Sequence, residues 1–139
     1  MKKITGFSLL LLLAVTSLAV QTGPAVTDPV ETFWQAFRTA VIKRDVEGVA
    51  RLSKFPIGMS YGIPSIKTKA QLIKRYRQVF NEQTNAAVCF GKAKWEMNTE
   101  NSKQFTVACP DAAGNEVVIY HFEQTRAGWR FTGLDNLNE

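Results

Sequence analysis

The side chains from which most enzyme active sites are built are scarce in this chain. Its 139 residues include one histidine and two cysteines, and no Gly-x-Ser-x-Gly turn or phosphate-loop glycine pattern occurs. One imidazole cannot supply a zinc ligand set, and the cysteines lack the Cys-x-x-Cys spacing of redox centres. We therefore predict no metal site, no cofactor and no catalytic residue set.

The chain also lacks an apolar run long enough to span a bilayer, for which about 20 residues are needed. A shorter run, residues 7–15, follows Lys2 and Lys3 and precedes the small-x-small motif that ends at Ala19. This pattern predicts a secretory signal peptide over residues 1–19, a flexible leader over 20–27 and a single domain over 28–139. Cleavage after Ala25 is the alternative. We expect an exported protein, in the bacterial periplasm or secreted, with no stable membrane anchor after cleavage.

Charge of one sign is not in large excess. The formal charge of +5 includes Lys2 and Lys3, so their removal leaves 15 basic against 12 acidic residues, or +3. Nucleic-acid-binding domains carry a stronger basic footprint, so we expect no nucleic-acid partner.

Helix signals dominate the first half of the domain. Asp28 and Pro29 predict a helix start, and an apolar stripe with three- and four-residue steps follows. Asp45 predicts a cap for a second, short helix. Thr68 and Gln71 form a capping box that predicts a third helix.

Strand signals dominate the second half. Residues 57–66 predict one or two short strands or a hairpin, and alternation predicts strands over 86–97, 102–109, 115–125 and 128–135. We expect an α+β fold in which three N-terminal helices pack on a curved, mainly antiparallel sheet of four to six strands. Both faces of 115–125 are apolar, which predicts a cover over the second face, either the N-terminal segment or another subunit.

Cys89 and Cys109 are predicted to form a disulfide, because exported proteins retain such bonds. The alternation places both cysteines on buried faces of neighbouring strands, opposite each other if the hairpin loop is odd in length. Two buried free thiols are the alternative.

The order of elements resembles the nuclear-transport-factor-2-like superfamily, which has a cystatin-like cone fold. The segment FWQAFRTAVIKRDVEGVARL resembles its opening helix pair, and HFEQTRAGWRFTGLD resembles its last two strands. The resemblance covers residues 30–134 and implies a cone of helices and sheet. Its motifs are packing motifs, which bear on fold more than on chemistry.

Members with known chemistry imply residues that this chain does not have. Isomerase-like members tend to carry a carboxylate base in the hairpin after the second helix, where this chain has Ser60 and Tyr61. Dehydratase-like members use a histidine pair with an aspartate. The four aspartates, Asp28, Asp45, Asp111 and Asp135, fall at predicted caps, turns or strand ends, where backbone hydrogen bonding is their usual role.

A few residues remain as candidates for ligand contact. His121 shares a strand face with Glu123, as a general base and its orienter would, although a strand histidine at a sheet surface is the simpler interpretation. The cavity candidates are Tyr61, Tyr76, Trp95 and His121. A basic cluster around the third helix suits lipid phosphates or an acidic partner, or else is the solvated face of that helix; it comprises Lys67, Lys69, Lys74, Arg75 and Arg77.

The leading functional hypothesis is a non-catalytic binding module that contacts an unknown protein through its sheet or cavity, including a homodimer through the sheet. The second is an envelope enzyme or carrier for a small apolar ligand, which needs an open cone in which residues such as Tyr61, Tyr76, His121 or Glu96 converge. The third is an immunity or inhibitor protein for a secreted toxin or hydrolase.

Overall fold

The computed structural model describes residues 23, 25, 27–60 and 62–138. The predicted signal peptide and Tyr61 lie outside these residues. Within the described part of the chain, no helix combines the length and apolar character needed to cross a membrane.

The described residues form four α-helices and five strands. The helices are α1 (Pro29–Ile42), α2 (Val46–Arg51), α3 (Lys69–Arg77) and α4 (Ala86–Phe90), with a π-helical turn (Gln78–Glu82) continuing α3. The strands are β1 (Ser53–Gly58), β2 (Glu96–Met97), β3 (Gln104–Pro110), β4 (Glu116–Thr125) and β5 (Gly128–Asn136). The α+β class and the predicted strand number are confirmed.

The predicted helix starts are confirmed in atomic detail. The Asp28 carboxylate accepts a 2.8 Å hydrogen bond from the Val30 amide, with Pro29 in the first turn of α1. The Asp45 carboxylate accepts from the Gly48 amide, and the Thr68 hydroxyl accepts from the Gln71 amide. These caps satisfy backbone donors that a helix leaves unpaired at its N-terminus.

The sheet is a meander with one added parallel strand. Its order is β1-β5-β4-β3-β2, with β2 through β5 antiparallel and β1 parallel to β5. The predicted short strand or hairpin at 57–66 is in part β1, which begins earlier, at Ser53. Ile57 also pairs with Ile66 through two backbone hydrogen bonds, so the predicted hairpin is reduced to a single antiparallel bridge.

The prediction of a strand over 86–97 is wrong for its first half. Residues Ala86–Phe90 form α4, where the Asn85 side chain accepts from the Val88 amide as an N-cap, and Gly91 follows as the C-cap. The strand is confined to Glu96–Met97. The alternation of small and apolar residues misled because Ala86, Cys89 and Phe90 also lie at helical spacing, and burial against the core selects that periodicity.

Aromatic rings occupy the space between helices and sheet. Phe122 of β4 contacts five other rings at centroid distances of 4.5–6.0 Å. Phe37 and Phe131 are fully buried around it. Tyr120 is also fully buried, and its hydroxyl donates to the Val79 carbonyl at 2.8 Å. The interior of the cone is therefore a packed core built from edge-to-face and stacked pairs.

Candidate functional site

The candidate site lies on the sheet face that points away from the helices, called here the outer face. Inward positions of β4, such as Val118 and Tyr120, are fully buried, whereas the outward positions Val117, Ile119 and His121 are half-buried. A strand alternates its side chains between the two faces, so β3 and β5 contribute their own outward sets.

A groove of about 630 Å³ runs over the polar half of this face. Residues of four strands, β1, β3, β4 and β5, line the groove. The outward residues that line it are Lys54, Pro56, Gln104, Thr106, His121, Glu123, Thr132 and Asp135.

His121 pairs with Asp135 in this groove. Its Nε2 lies 2.9 Å from an Asp135 carboxylate oxygen, with 39% of the histidine side chain and 56% of the aspartate side chain exposed. In the strand register, His121 faces Gly133 and Asp135 faces Ile119, so the pair is diagonal. The His121 Cβ lies beside Gly133, and the imidazole extends from there to Asp135.

Asp135 therefore departs from the backbone-bonding role that we expected for all four aspartates. Asp28, Asp45 and Asp111 do accept hydrogen bonds from backbone amides. The amides of Asn115 and Ala113 hold the pKa of Asp111 below its ordinary range.

Glu123 is engaged elsewhere, so the predicted pairing of His121 with Glu123 is not formed. Its carboxylate accepts a 3.0 Å hydrogen bond from Gln104 Nε2 and lies 3.8 Å from Lys54 Nζ. The Thr132 hydroxyl donates to the backbone carbonyl of His121 at 3.2 Å. The polar part of the outer face is thus a set of pairs between strands: β4 with β3, β4 with β5, and β4 with β1 across β5.

The other half of the outer face is apolar. Ala108 of β3 faces Ile119 of β4, and Val117 lies one outward position further along β4. Leu137 donates its amide to the Val117 carbonyl, and 68% of its surface is exposed. An apolar strip therefore continues the groove toward the chain end of β5.

The structure does not bring the remaining cavity candidates together with His121. Tyr76 lines a separate cleft on the helix side, and Trp95 lines another beside α1. Tyr61 is outside the described residues. Ser60 is buried, and its hydroxyl donates to the Leu134 carbonyl at 3.4 Å.

Both of these placed aromatic side chains have a defined polar contact. The Tyr76 hydroxyl donates to the Val41 carbonyl at 3.4 Å, and burial raises the pKa of Tyr76 to about 12. Trp95 Nε1 donates to Glu31 at 2.7 Å. Hydrogen bonds from Gln35 and then from Trp95 lower the pKa of the Glu31 carboxyl, because both stabilise its charged form.

The predicted disulfide is confirmed. Cys89 and Cys109 are joined with Cα atoms 5.8 Å apart across 20 residues. The disulfide links α4 to β3, and the prediction that it links two strands is wrong.

The described residues hold no group of three or more histidine, cysteine, aspartate or glutamate side chains that could bind a metal ion. What the groove offers chemically is an oriented imidazole–carboxylate pair, an ion pair and several hydroxyl and amide groups on a solvent-reachable face.

The architecture, in which helices pack on one face of a mainly antiparallel five-stranded sheet, agrees with the cone that the resemblance implied. No protein-family model and no curated protein matches its sequence.

Several solved structures share this cone fold. A ketosteroid isomerase-like protein from Erwinia carotovora atroseptica aligns at 17% identity with a TM-score of 0.42, covering 76% of this chain and 90% of that one. A Mycobacterium tuberculosis protein in complex with estradiol-17β-hemisuccinate aligns at 14% identity with a TM-score of 0.46, covering 80% and 94%.

An ntf2-like protein with a cystatin-like fold from Novosphingobium aromaticivorans aligns at 13% identity with a TM-score of 0.42, covering 78% of each chain. At these identities the likeness is one of fold and does not extend to a ligand.

Proposed function

We propose that this protein is an exported, non-catalytic binding module whose contact surface is the outer sheet face, with a second copy of the same chain as the occupant. One observation carries the proposal: aromatic rings fill the interior of the cone, while the outer face combines a polar groove with an apolar strip. This distribution favours binding on the surface over binding inside the cone.

The outer face supplies a large part of the area that a dimer interface needs. Strands β1, β3, β4 and β5 have 6, 7, 10 and 9 residues. At about 3.3 Å per residue and a spacing of about 4.8 Å, they give a face of roughly 500 Å². A standard interface buries roughly 800 Å² per partner. The strip of Ala108, Val117 and Ile119 supplies the apolar centre that such interfaces need.

The charges on the outer face support self-association as well. The Lys54 ammonium lies on the same face as the Glu123 and Asp135 carboxylates, so a copy related by a two-fold axis can present its carboxylates to the lysine of the first copy, and the reverse. A symmetric interface uses the same patch twice, and a patch that carries both signs can be self-complementary.

The non-catalytic part of the proposal rests on the contacts of His121. A general base needs a nucleophile or substrate oriented by neighbouring groups. Here the nearby Thr132 hydroxyl is bonded to backbone and the Glu123 carboxylate to Gln104. These contacts suit an ordered binding surface.

Export is proposed from two features. Residues 1–19 carry the signal-peptide pattern, and the Cys89–Cys109 bond suits an oxidising compartment such as the periplasm.

Isotope-filtered nuclear Overhauser spectroscopy tests the interface. In a mixture of labelled and unlabelled chains of residues 20–139, we expect intermolecular cross-peaks from the Ile119 methyl groups. Ile73, which is 45% exposed on α3 at the helix side, is the internal control and should give none. A dimer with cross-peaks from Ile73 and none from Ile119 would contradict the proposal, and so would a chain that remains monomeric and binds a different protein.

A further inference from the structure

A second cleft lies on the helix side, away from the outer face. It has a volume of about 670 Å³ and is formed by the α1–α2 connection, the end of α3 and the π-helical turn. Its lining residues are Arg44, Val46, Tyr76, Arg77, Asn81 and Glu82. π-Helical turns are rare and occur frequently at functional sites.

Arg44 occupies a backbone position that favours glycine. Its φ is +55°, and it follows α1 in a turn where the Asp45 amide donates to the Ala40 carbonyl and the Arg44 amide donates to the Val41 carbonyl. These two bonds define a Schellman motif, whose left-handed residue is usually glycine because a Cβ atom is strained there. An arginine in this position keeps a long cationic side chain at some cost to stability, which points to a use for that side chain.

Three further polar side chains border the same cleft. Tyr76 is half-buried, and burial raises its pKa and keeps the phenol protonated; the charges of Arg44 and Asp45 act on its ionisation in opposite directions. Arg77 lies 3.6 Å from Glu82, with 85% of its side chain exposed. Asn81 adds an amide from the π-helical turn.

We propose that this cleft binds the phosphoryl group of a phosphate ester through Arg44 and Arg77. A guanidinium offers parallel N–H donors that match phosphate oxygens, so two guanidinium groups and an amide that line one cleft supply donors for a tetrahedral anion. This inference goes beyond the proposed function and does not depend on the dimer.

The acidic neighbours do not prevent such binding. Glu82 pairs with Arg77 at the surface, and exposed ion pairs contribute little, so a dianion can replace that contact. Asp45, whose charge also acts on Tyr76, accepts from the Gly48 amide and lies 3.8 Å from Arg51, so its carboxylate already has two partners.

The phosphoryl group can come from a soluble ester or from a lipid headgroup. Ile73 is 45% exposed and lies one helical turn before Arg77, a placement that suits contact with a lipid surface. Vesicle binding distinguishes these two sources.

Calorimetric titration of residues 20–139 with inorganic phosphate tests the site. We expect Arg44→Gly to weaken phosphate binding about tenfold, because one charge-assisted contact is lost. We expect the same variant to raise the melting temperature, because glycine relieves the strained backbone. Arg77→Gln should also weaken binding, whereas Arg126→Gln, which removes the same charge in the turn between β4 and β5, should not.

Absence of phosphate binding to the wild-type chain would overturn the proposal, and so would equal weakening by Arg126→Gln, which would indicate non-specific attraction. A second arm uses vesicles of phosphatidylglycerol with phosphatidylcholine vesicles as the control. Binding to phosphatidylglycerol that Arg44→Gly abolishes supports a lipid headgroup, and phosphate binding without vesicle binding supports a soluble ester. The Ile119→Arg variant places a charge on the outer face and should be monomeric. It should bind phosphate like the wild type, which separates a failure of this site from a failure of the dimer.

Discussion

His121 Nε2 and the Asp135 carboxylate lie 2.9 Å apart on neighbouring strands, and this contact fixes the imidazole on the outer face. His121 faces Gly133 across the strand pair and Asp135 faces Ile119, so the contact is diagonal. The pair therefore contributes an ordered polar feature to the proposed interface while the Glu123 carboxylate serves Gln104 and Lys54.

The disulfide should contribute strongly to stability. Its loop of 20 residues corresponds to about 3 kcal/mol on the chain-entropy estimate. We expect urea denaturation of the Cys89→Ala/Cys109→Ala variant to show a free energy of unfolding lower by about that amount. The wild type under reducing conditions is the matched control and should lose a similar amount. Two titratable thiols in unreduced, denatured wild-type protein would contradict the bond.

Truncation of Phe122 should test whether the interior is packed. Its ring contacts five others and is fully buried, so Phe122→Ala should lower the free energy of unfolding by about 3–5 kcal/mol. Val88→Ala, at a position that is 60% exposed on α4, should change it by less than about 0.5 kcal/mol. A small effect of Phe122→Ala, or tight binding of an apolar dye by the native wild type, would instead indicate an open cone.

Stability should fall at alkaline pH because of buried phenols. Burial raises the pKa of Tyr76 from 10.0 to about 12, and it raises that of Tyr120 as well. The folded state then retains protons that the unfolded state releases, so the contribution is complete below pH 10 and is lost as pH rises from 10 toward 12.

Urea midpoints measured across this pH range check the prediction. Tyr76→Phe removes one of the two groups and should flatten the decline. An unchanged slope in that variant would show that Tyr76 does not titrate as described.

Local signals explain why the helix starts could be predicted from sequence. Asp28 and Thr68 each cap a helix through a backbone amide within three residues, so nothing distant needs to be known. The same kind of signal was available for α4, since Asn85 and Gly91 bracket it. The alternation around Cys89 predicts a strand instead, and that prediction is wrong for Ala86–Phe90.

The candidate site was harder to predict because it depends on strand register. A bulge shifts the pairing of β4 and β5 beside His121, and in the resulting register Asp135 faces Ile119 and lies diagonal to His121. A one-residue change in register exchanges the faces of a strand, and local sequence does not specify a bulge of this kind. The cleft at Arg44 could not be predicted either. Arg44 has a left-handed backbone conformation, which is usual for glycine and is not predicted for an arginine.

Sedimentation velocity of residues 20–139 at micromolar concentrations tests the central claim most directly. The wild type should sediment as a dimer that dissociates on dilution. Ile119→Arg, which places a charge at the apolar centre of the outer face, should be monomeric, while the matched substitution Ile73→Arg on the helix side should leave the dimer intact. A wild type that is monomeric at every concentration, or a dimer that survives Ile119→Arg and is lost in Ile73→Arg, would contradict the assignment of the outer face as the binding surface.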